Sequence, residues 1–540
     1  MEFHLADLFE QVVDSVPGNE ALVAGSERRT YAELDVRANR LAHHLVSSGV
    51  EAGQHVAIYA YNRVEWIEAL IACFKIRAVP ININFRYVED ELIYIFDDAD
   101  IVATVYERSF TPLLEAIQSR LPLLKSFTVI EDGSDHDSSA LNAFEYEKAL
   151  AESSPERDFT GRSSDDVYMI YTGGTTGMPK GTMWRHEDIF FAAMQGGNPS
   201  GDPIKQPEEL GEVVKNSFPL TTVCPPPMMH GGGTWTCMIT FFTGGKFILY
   251  TGKHFDADEV VKLTQDEKGL SLMLVGDAMA RPIADVIETG KYKLDGLMVV
   301  SSGGAILSQP VKNKLKALLP NRMILDSFGA SETGHNGAVM DMGDEEAAGP
   351  RFTLSEHTQI LDENLVPLKP GSPEIGRLAR SGHIPLGYYK DQKKTDATFK
   401  TDSNGVRWVI PGDFAQVLED GSVQLMGRGS GCINTGGEKV FPEEVEAALK
   451  AHDDVFDAVV VGVPDERFGQ RVAAIVHPRQ GKQPSMEDLA AFCSSKIARY
   501  KAPRELILVD EIKRTPAAKP DYRAAKALAL KTLGLEEKSA

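Results

Sequence analysis

Cysteine is scarce in this chain. Five cysteines (Cys73, Cys224, Cys237, Cys432 and Cys493) are spread over 540 residues, with no CxxC pair. Their wide spacing and odd number argue against both a disulfide framework and a zinc site, and a reducing, cytoplasmic setting is the simplest expectation. Positive charge is also in deficit: 56 Lys and Arg stand against 78 Asp and Glu, a net charge of −22. Such a surface is unsuited to non-specific nucleic-acid binding, so no nucleic-acid partner is expected. No apolar run approaches the roughly 18 residues that a spanning helix needs, so no transmembrane segment is expected. Residues 1–19 read as an amphipathic helix, not a signal peptide, and the closing Lys538-Ser539-Ala540 is neither a lipidation nor a peroxisomal signal. No internal repeat or low-complexity tract is visible. What remains is 43% hydrophobic and 25% charged, an ordinary globular composition. A chain of this length can close its cores without disulfides.

Helix and strand signals alternate over the first 130 or so residues, which implies a sheet covered by helices. Thr30 and Glu33 form a capping box ahead of Leu34, Leu41 and Leu45 on one helical face. Residues 56–61 read as a strand, 62–75 as an amphipathic helix carrying Trp66, Leu70 and Phe74, and 78–84 as another strand. A polar stretch, 131–166, reads as a surface connection. A second α/β block is expected over about 213–345, with strands at 246–250, 270–275, 294–300 and 323–328. A strand-rich segment follows over 350–427. Beyond a glycine-dense break at 427–431 lies a small α+β unit with strands at 455–463 and 504–512 and a serine-capped helix at 485–500.

The most informative stretch is YTGGTTGMPKG, residues 171–181, directly after an apolar strand at 167–171. Gly173, Gly174 and Gly177 let the backbone turn sharply and present bare N–H groups to an anion. Thr172, Thr175 and Thr176 add hydroxyl donors, and Lys180 adds a full positive charge. In an acidic chain, a lysine inside a glycine-rich turn is well suited to nucleotide phosphates. The pattern is not a Walker loop, because Met178-Pro179 separates Gly177 from Lys180.

This loop resembles the signature of the adenylate-forming superfamily, which includes acyl-CoA synthetases, luciferases and the adenylation domains of peptide synthetases. Gly173 stands where the family usually has serine. The resemblance runs over essentially the whole chain, with the motifs in family order. DSFGASETG (326–334) is similar to the second signature, so Asp326, Ser327, Phe328 and Ser331 are implied at the ATP site, with Phe328 packing on adenine. Glu332 takes the place of the carboxylate that binds Mg²⁺. A carboxylate beside a triphosphate needs a metal between them, or it would repel the substrate. Gly303, Gly304 and Ala305 resemble the turn whose backbone lies against adenine. In IPGDF, Asp413 stands where the family binds the ribose hydroxyls, although PGD replaces the usual TGD. Arg428, fifteen residues on, is implied at the same ribose or a phosphate.

PPPMMHGGGTW (225–235) is similar to the segment beside the reacting carboxylate. It implies a catalytic role for His230 and an acyl pocket built from Met228, Met229, Gly231, Gly232 and Trp235, with Gly329 and Ala330. Ser430 occupies the hinge position and Gly431 replaces the usual aspartate after it. Gly436 and Gly437 would line a channel for the pantetheine arm of coenzyme A. KRTPAAKPDYR (513–523) resembles the C-terminal lysine loop, with Lys519 in the catalytic position and Ala518 replacing the usual glycine.

The fold class this implies is α/β: a large N-terminal adenylate-forming body of layered sheets and helices, residues 1–428, a hinge at 429–431, and a small mobile α+β C-terminal domain, 432–540. The implied activity is two-step. A carboxylate first attacks the α-phosphate of ATP to give acyl-AMP and pyrophosphate, and Lys519 neutralises the growing charge. The small domain then rotates, and the thiol of coenzyme A attacks the acyl-AMP. Longer stretches at 171–188, 275–282, 427–450 and 514–523 most resemble the fatty-acyl and sterol side-chain acyl-CoA synthetases of actinobacteria. They imply an apolar carboxylic acid as substrate, and a homodimer is compatible with the reading. Two rivals are an acyl-AMP ligase that loads a carrier protein and a catalytically silent ligand-binding homologue. Glu332, Asp413, Arg428 and Lys519 are all present, which weighs against the second.

Overall fold

The computed structural model describes residues 1–172, 178–305, 307–341, 351–428, 431–435, 438–465, 468–497, 499–515 and 519–535. Its first helix, Leu5–Ser15, buries Leu5, Leu8, Phe9 and Val12 and is capped by the His4 side chain on the Ala6 amide. In the second, Tyr31–Ser47, the Thr30 hydroxyl accepts from the Glu33 amide and the Glu33 carboxylate accepts from the Thr30 amide. This is the capping box expected from the sequence. The third, Val64–Lys75, is buried nearly all round rather than amphipathic. Even Lys75 is fully buried, held by Glu10 and by Asp35 at 2.7 Å.

Among the described residues, three sheets build the body. His55–Tyr59 lies between Val79–Asn82 and Ile101–Glu107, and the ladder continues through Ser126–Ile130 to Phe144–Glu145, all parallel. A larger sheet, fifteen strands among the described residues, starts at the Glu20–Ala24 hairpin with Glu27–Thr30. It runs in parallel through Lys246–Leu249, Thr221–Cys224, Ser271–Leu274, Val299–Ser302 and Met323–Ala330. Helices Gly231–Phe242, Ala257–Asp266, Gly276–Glu288 and Gln309–Leu318 connect these strands. From Gly334–Asp341 onward the pairing turns antiparallel, and the strand-rich segment joins the same sheet through Arg351–Leu354 and Val423–Arg428. The second block is therefore not a separate sheet, because Glu20–Ala24 and the segment after 350 pair onto its two sides. A third sheet is short: Val167–Thr172, Lys180–Arg185 and Gly387–Tyr388.

The polar connection 131–166 is more than surface. It contributes the helix Tyr146–Glu152, with Tyr146, Ala149 and Leu150 buried. Arg157 and Arg162 reach back to Asp35 at 2.7 Å and Glu10 at 2.8 Å, completing the charged cluster around Lys75.

Past residue 431, a five-stranded sheet is made by Ile433–Thr435, Glu438–Val440, Val455–Asp465, Gly469–Pro478 and Glu505–Leu508. Helices Pro442–Lys450 and Tyr522–Leu533 pack on it, and Met486–Lys496 packs against the first of these. Ser485 caps Met486–Lys496 through the Asp488 amide, as its position in the sequence predicts. Phe441 lies 6.0 Å from Phe414, and Arg281 sits over the ring of Phe456 at 5.3 Å, so this unit rests against the body. Among the described residues, no helix is long and apolar enough to cross a membrane.

Candidate active site

In open α/β sheets, ligands sit beyond the C-terminal ends of the parallel strands. Several of the candidate motifs lie there. The loop 225–230 follows Thr221–Cys224, Gly303 and Gly304 follow Val299–Ser302, and Ser327 to Glu332 close Met323–Ala330.

Thr172 and Lys180 are cross-strand partners at the neck of the phosphate loop. Gly173, Gly174, Thr175, Thr176 and Gly177 lie outside the described residues. The Tyr94 hydroxyl donates to the Pro179 carbonyl at 2.9 Å and braces the loop's exit. Gly181 is required, because a Cβ there would meet the Tyr171 ring at 2.7 Å and the Met169 sulfur at 2.6 Å. Lys180 pairs with Asp391 at 2.6 Å, and that bond raises the lysine's pKa.

The second signature is a hairpin turn between Met323–Ala330 and Gly334–Asp341. The Trp184 indole donates to the Ser331 carbonyl at 2.9 Å. The Thr333 hydroxyl accepts from the Ala330 amide at 3.1 Å and from Asn336 at 2.9 Å. Glu332 accepts a hydrogen bond from the Tyr388 hydroxyl at 2.9 Å. Phe328 lies against Phe352, ring centroids 4.5 Å apart. Ser327 presents its carbonyl 3.4 Å from where a Gly303 Cβ would lie, so the two turns approach closely there. Gly304 has φ +80 with open space around it, and Ala305 is half-buried. Asp326 is buried and paired with Lys312 at 2.5 Å. That scaffold partner was not part of the sequence reading, which placed Asp326 with ATP.

Asp413 and Arg428 are direct cross-strand partners in the hairpin Asp413–Val417 with Val423–Arg428. Their fifteen-residue spacing is thus the register of that hairpin. The Arg428 side chain lies outside the described part.

His230 is the N-cap residue of Gly231–Phe242. Met228 and Met229 are buried, and Trp235 lies over Gly231, where a Cβ would come within 3.0 Å of the indole. Met273 stands between Gly232 and Gly303, 3.9 and 3.6 Å from where their Cβ atoms would be. Asn62 accepts from the Met228 amide at 2.8 Å and donates to the Pro226 carbonyl. Asn82 exchanges hydrogen bonds with the Tyr171 backbone and donates to the Met229 carbonyl at 2.7 Å. One asparagine thereby ties the strand entering the phosphate loop to the acyl-pocket loop.

Lys519 is exposed on a loop whose feet are joined at Arg514 and Pro520. The Thr515 amide donates to the Lys519 carbonyl at 2.7 Å. Ser430, Gly436 and Gly437 lie outside the described residues, the two glycines between the paired strands Ile433–Thr435 and Glu438–Val440. Among the described residues no cluster of three metal-ligating side chains occurs. A lone carboxylate is nonetheless the kind of oxygen donor that Mg²⁺ takes alongside substrate phosphates, so Glu332 fits that ion.

The family model for AMP-binding enzymes matches residues 9–389, and that for the AMP-binding enzyme C-terminal domain matches 444–519. The chain belongs to the AMP-binding enzyme family. A 3-oxocholest-4-en-26-oate–CoA ligase of Rhodococcus rhodochrous is 49% identical, over 97% of this chain and 96% of that protein. A medium/long-chain-fatty-acid–CoA/3-oxocholest-4-en-26-oate–CoA ligase of Mycolicibacterium smegmatis is 48% identical over the same shares. Among solved structures, the anthranilate CoA ligase AuaEII in complex with anthranoyl-AMP superposes with a TM-score of 0.85 at 22% identity, covering 98% of each chain. ATP-bound MatB of Rhodopseudomonas palustris gives 0.81 at 24%, covering 98% of this chain and 99% of MatB. These two likenesses show the adenylate-forming fold, a large body with a separate C-terminal domain.

Tyr388, Asp391, Trp184, Asn62 and Asn82 of this AMP-binding enzyme were not among the candidate site residues of the sequence reading. Each acts across a large sequence separation. Trp184, just after the phosphate loop, looks from sequence like a helix start, but it lies in the strand Lys180–Arg185 and the helix begins at His186.

Proposed function

We propose that this AMP-binding enzyme activates an apolar carboxylic acid, a steroid side-chain acid or a medium- to long-chain fatty acid, to acyl-AMP and then to acyl-CoA. One observation carries the reading. A chain alike over nearly its full length to CoA ligases for such acids brings Lys180 and Glu332 into contact with a single short turn, through Asp391 and Tyr388. Loss of either charge would have favoured a silent homologue. A carrier-loading ligase finds no support among these relatives.

In the first half-reaction, Thr172 and Lys180 at the loop neck hold the ATP phosphates, and Asp413 accepts from the ribose hydroxyls. Phe328 and the backbone at Gly303, Gly304 and Ala305 flank adenine. Glu332 would hold Mg²⁺, which when bound would supply charge neutralisation for the departing pyrophosphate. His230 stands at the start of a twelve-residue helix, whose N-terminal dipole favours an anionic carboxylate nearby. Buried Met228 and Met229, with Trp235 and adaptable Met273, supply an apolar wall for the acyl group. Lys519 stabilises charge at the α-phosphate, where a fixed cation is worth most.

In the second half-reaction, the coenzyme A thiol attacks the acyl-AMP and AMP leaves. We place the boundary for the accompanying domain rotation at 429–431, between a body of 1–428 and a lid of 432–540. The five free thiols suit the reducing cytoplasm proposed for the chain. The test is pyrophosphate release with ATP and Mg²⁺ over short, medium and long fatty acids, aromatic acids and steroid side-chain acids, with and without coenzyme A. Coenzyme-A-stimulated turnover with steroid or longer fatty acids is expected. Release limited to about one turnover despite coenzyme A would overturn the acceptor, and preference for aromatic acids would overturn the substrate class.

A further inference from the structure

Glu332 and Lys180 belong to different motifs, yet both are held by residues 388–391. The strand Gly387–Tyr388 pairs with Lys180–Arg185, Tyr388 opposite Thr182. The Leu386 amide donates to the Met183 carbonyl and the Tyr389 amide to the Gly181 carbonyl, each at 2.8 Å. Four consecutive residues thus track the strand that leaves the phosphate loop. Tyr388 is 5% exposed, its ring edge-on to Phe399 and its amide bonded to the Thr395 hydroxyl at 2.9 Å. On the other side, Tyr389 and Lys390 both bond Asp100 at 2.7 Å. Asp391 caps the helix Gln392–Thr398 through the Lys394 amide and takes the Lys180 ammonium. The turn is fixed on both flanks, and its two side chains toward the motifs carry opposite roles: a hydroxyl donor to the acid, a carboxylate acceptor from the base.

We propose that the 388–391 turn is a positioning element for ATP and its metal, with Tyr388 orienting Glu332 and Asp391 competing with phosphate for Lys180. This rests on reading Glu332 as the metal carboxylate. The Tyr388 hydroxyl donates to Oε1 of Glu332, which fixes the rotation of the carboxylate that would hold the ion. Groups that orient a metal ligand in this way commonly change affinity by about 10–100-fold when removed. Asp391 acts in the opposite sense. Its pair with Lys180 must open when the lysine takes a phosphate, so Asp391 lowers the affinity for free nucleotide and gives the lysine a fixed resting place.

The test is calorimetric titration of ATP into the full-length enzyme without acid substrate, once with Mg²⁺ and once with EDTA. Tyr388→Phe keeps the ring and its contact with Phe399. It is expected to cut the Mg²⁺-dependent gain in ATP affinity about tenfold and leave affinity in EDTA unchanged. Asp391→Asn keeps a good helix cap and is expected to tighten ATP in EDTA roughly threefold, the size of a partly exposed ion pair. A turn with a merely structural role would weaken binding in both variants and both buffers, and that result overturns the proposal. Glu332→Gln is the reference. If it leaves the Mg²⁺-dependent gain intact, the metal reading of Glu332 fails and this proposal with it. If it abolishes the gain while Tyr388→Phe changes nothing, the metal reading stands and the role of Tyr388 is overturned. Thermal midpoints within a few degrees of the parent establish that the variants are folded.

Discussion

The indole N–H of Trp184 donates to the carbonyl oxygen of Ser331, 147 residues away, at 2.9 Å. Trp184 is fully buried, so this bond pins the turn that carries Glu332 from beneath. Trp184→Phe removes the donor and part of the ring, and the carbonyl of half-buried Ser331 loses this partner. The expected cost is about 1–3 kcal/mol of stability, together with a raised KM for ATP. Denaturant unfolding and steady-state kinetics measure the two. Unchanged KM with lost stability would restrict Trp184 to the core.

Gly329 leaves no room for a side chain. A Cβ there would stand 2.1 Å from the Gly334 carbonyl oxygen, inside the same hairpin turn. Gly329→Ala forces the strands apart where Ser331 and Glu332 are held. Loss of about 1–3 kcal/mol is expected, with adenylation falling more than the transfer of preformed acyl-AMP to coenzyme A. Assaying the half-reactions separately checks this.

Asn82 serves two loops at once, through Tyr171 and Met229. Asn82→Ala should therefore raise KM for both ATP and the acid. A change confined to one substrate would show that the two loops are positioned independently. The lost bonds are expected to cost about 1–3 kcal/mol.

Lys519→Ala separates the two half-reactions. Adenylation is expected to fall by about 10²–10³, the range for removing one charge-stabilising donor. Thioester formation from synthetic acyl-AMP should be largely spared. Equal loss of both steps would contradict the assigned role.

Acid should weaken the fold in two stages. Burial, and then the nearby Arg380, push the His335 imidazole down to about 4. The unfolded chain therefore binds a proton near pH 6.5 that the folded chain refuses, and stability falls as pH drops from about 6.5 to 4. Glu10 follows. Burial opposes its charge, but Arg162 and Lys75 outweigh that and hold its carboxyl down to about 2. Stability it contributes above about pH 4.5 is lost as pH falls toward 2. Melting temperature against pH, with His335→Gln flattening only the first stage, is the measurement.

Contiguous motifs made much of this site legible from sequence. The second signature and the Asp413–Arg428 spacing each lie within one hairpin, and Thr172 and Lys180 pair at the neck of the phosphate loop, so local order carries the information. The capping box at Thr30 and the cap at Ser485 were equally local. What stayed hidden depends on register between strands far apart in the chain. Nothing near Tyr388 announces that Gly387–Tyr388 will lie beside Thr182 and Met183. Nor does Glu20–Ala24 carry a sign of its pairing with Lys246–Leu249, which merges blocks that read as separate. Lys75 closes a helix pattern that shows nothing of its burial, because its partners Glu10 and Asp35 come together only through tertiary packing.

The lysine loop at the end of the chain is anchored at its base. Arg514, one of its feet, is paired with Asp457 in the small sheet, and Asp457 also binds Lys450 at 3.1 Å. The Asp521 amide closes the other foot on the Lys513 carbonyl at 3.0 Å. Lys519 stands directly beside the Pro520 foot, close to these fixed points of the small sheet. Where its ammonium arrives therefore follows the stance of the whole module, so a substitution that shifts the small sheet would misplace the lysine without touching it.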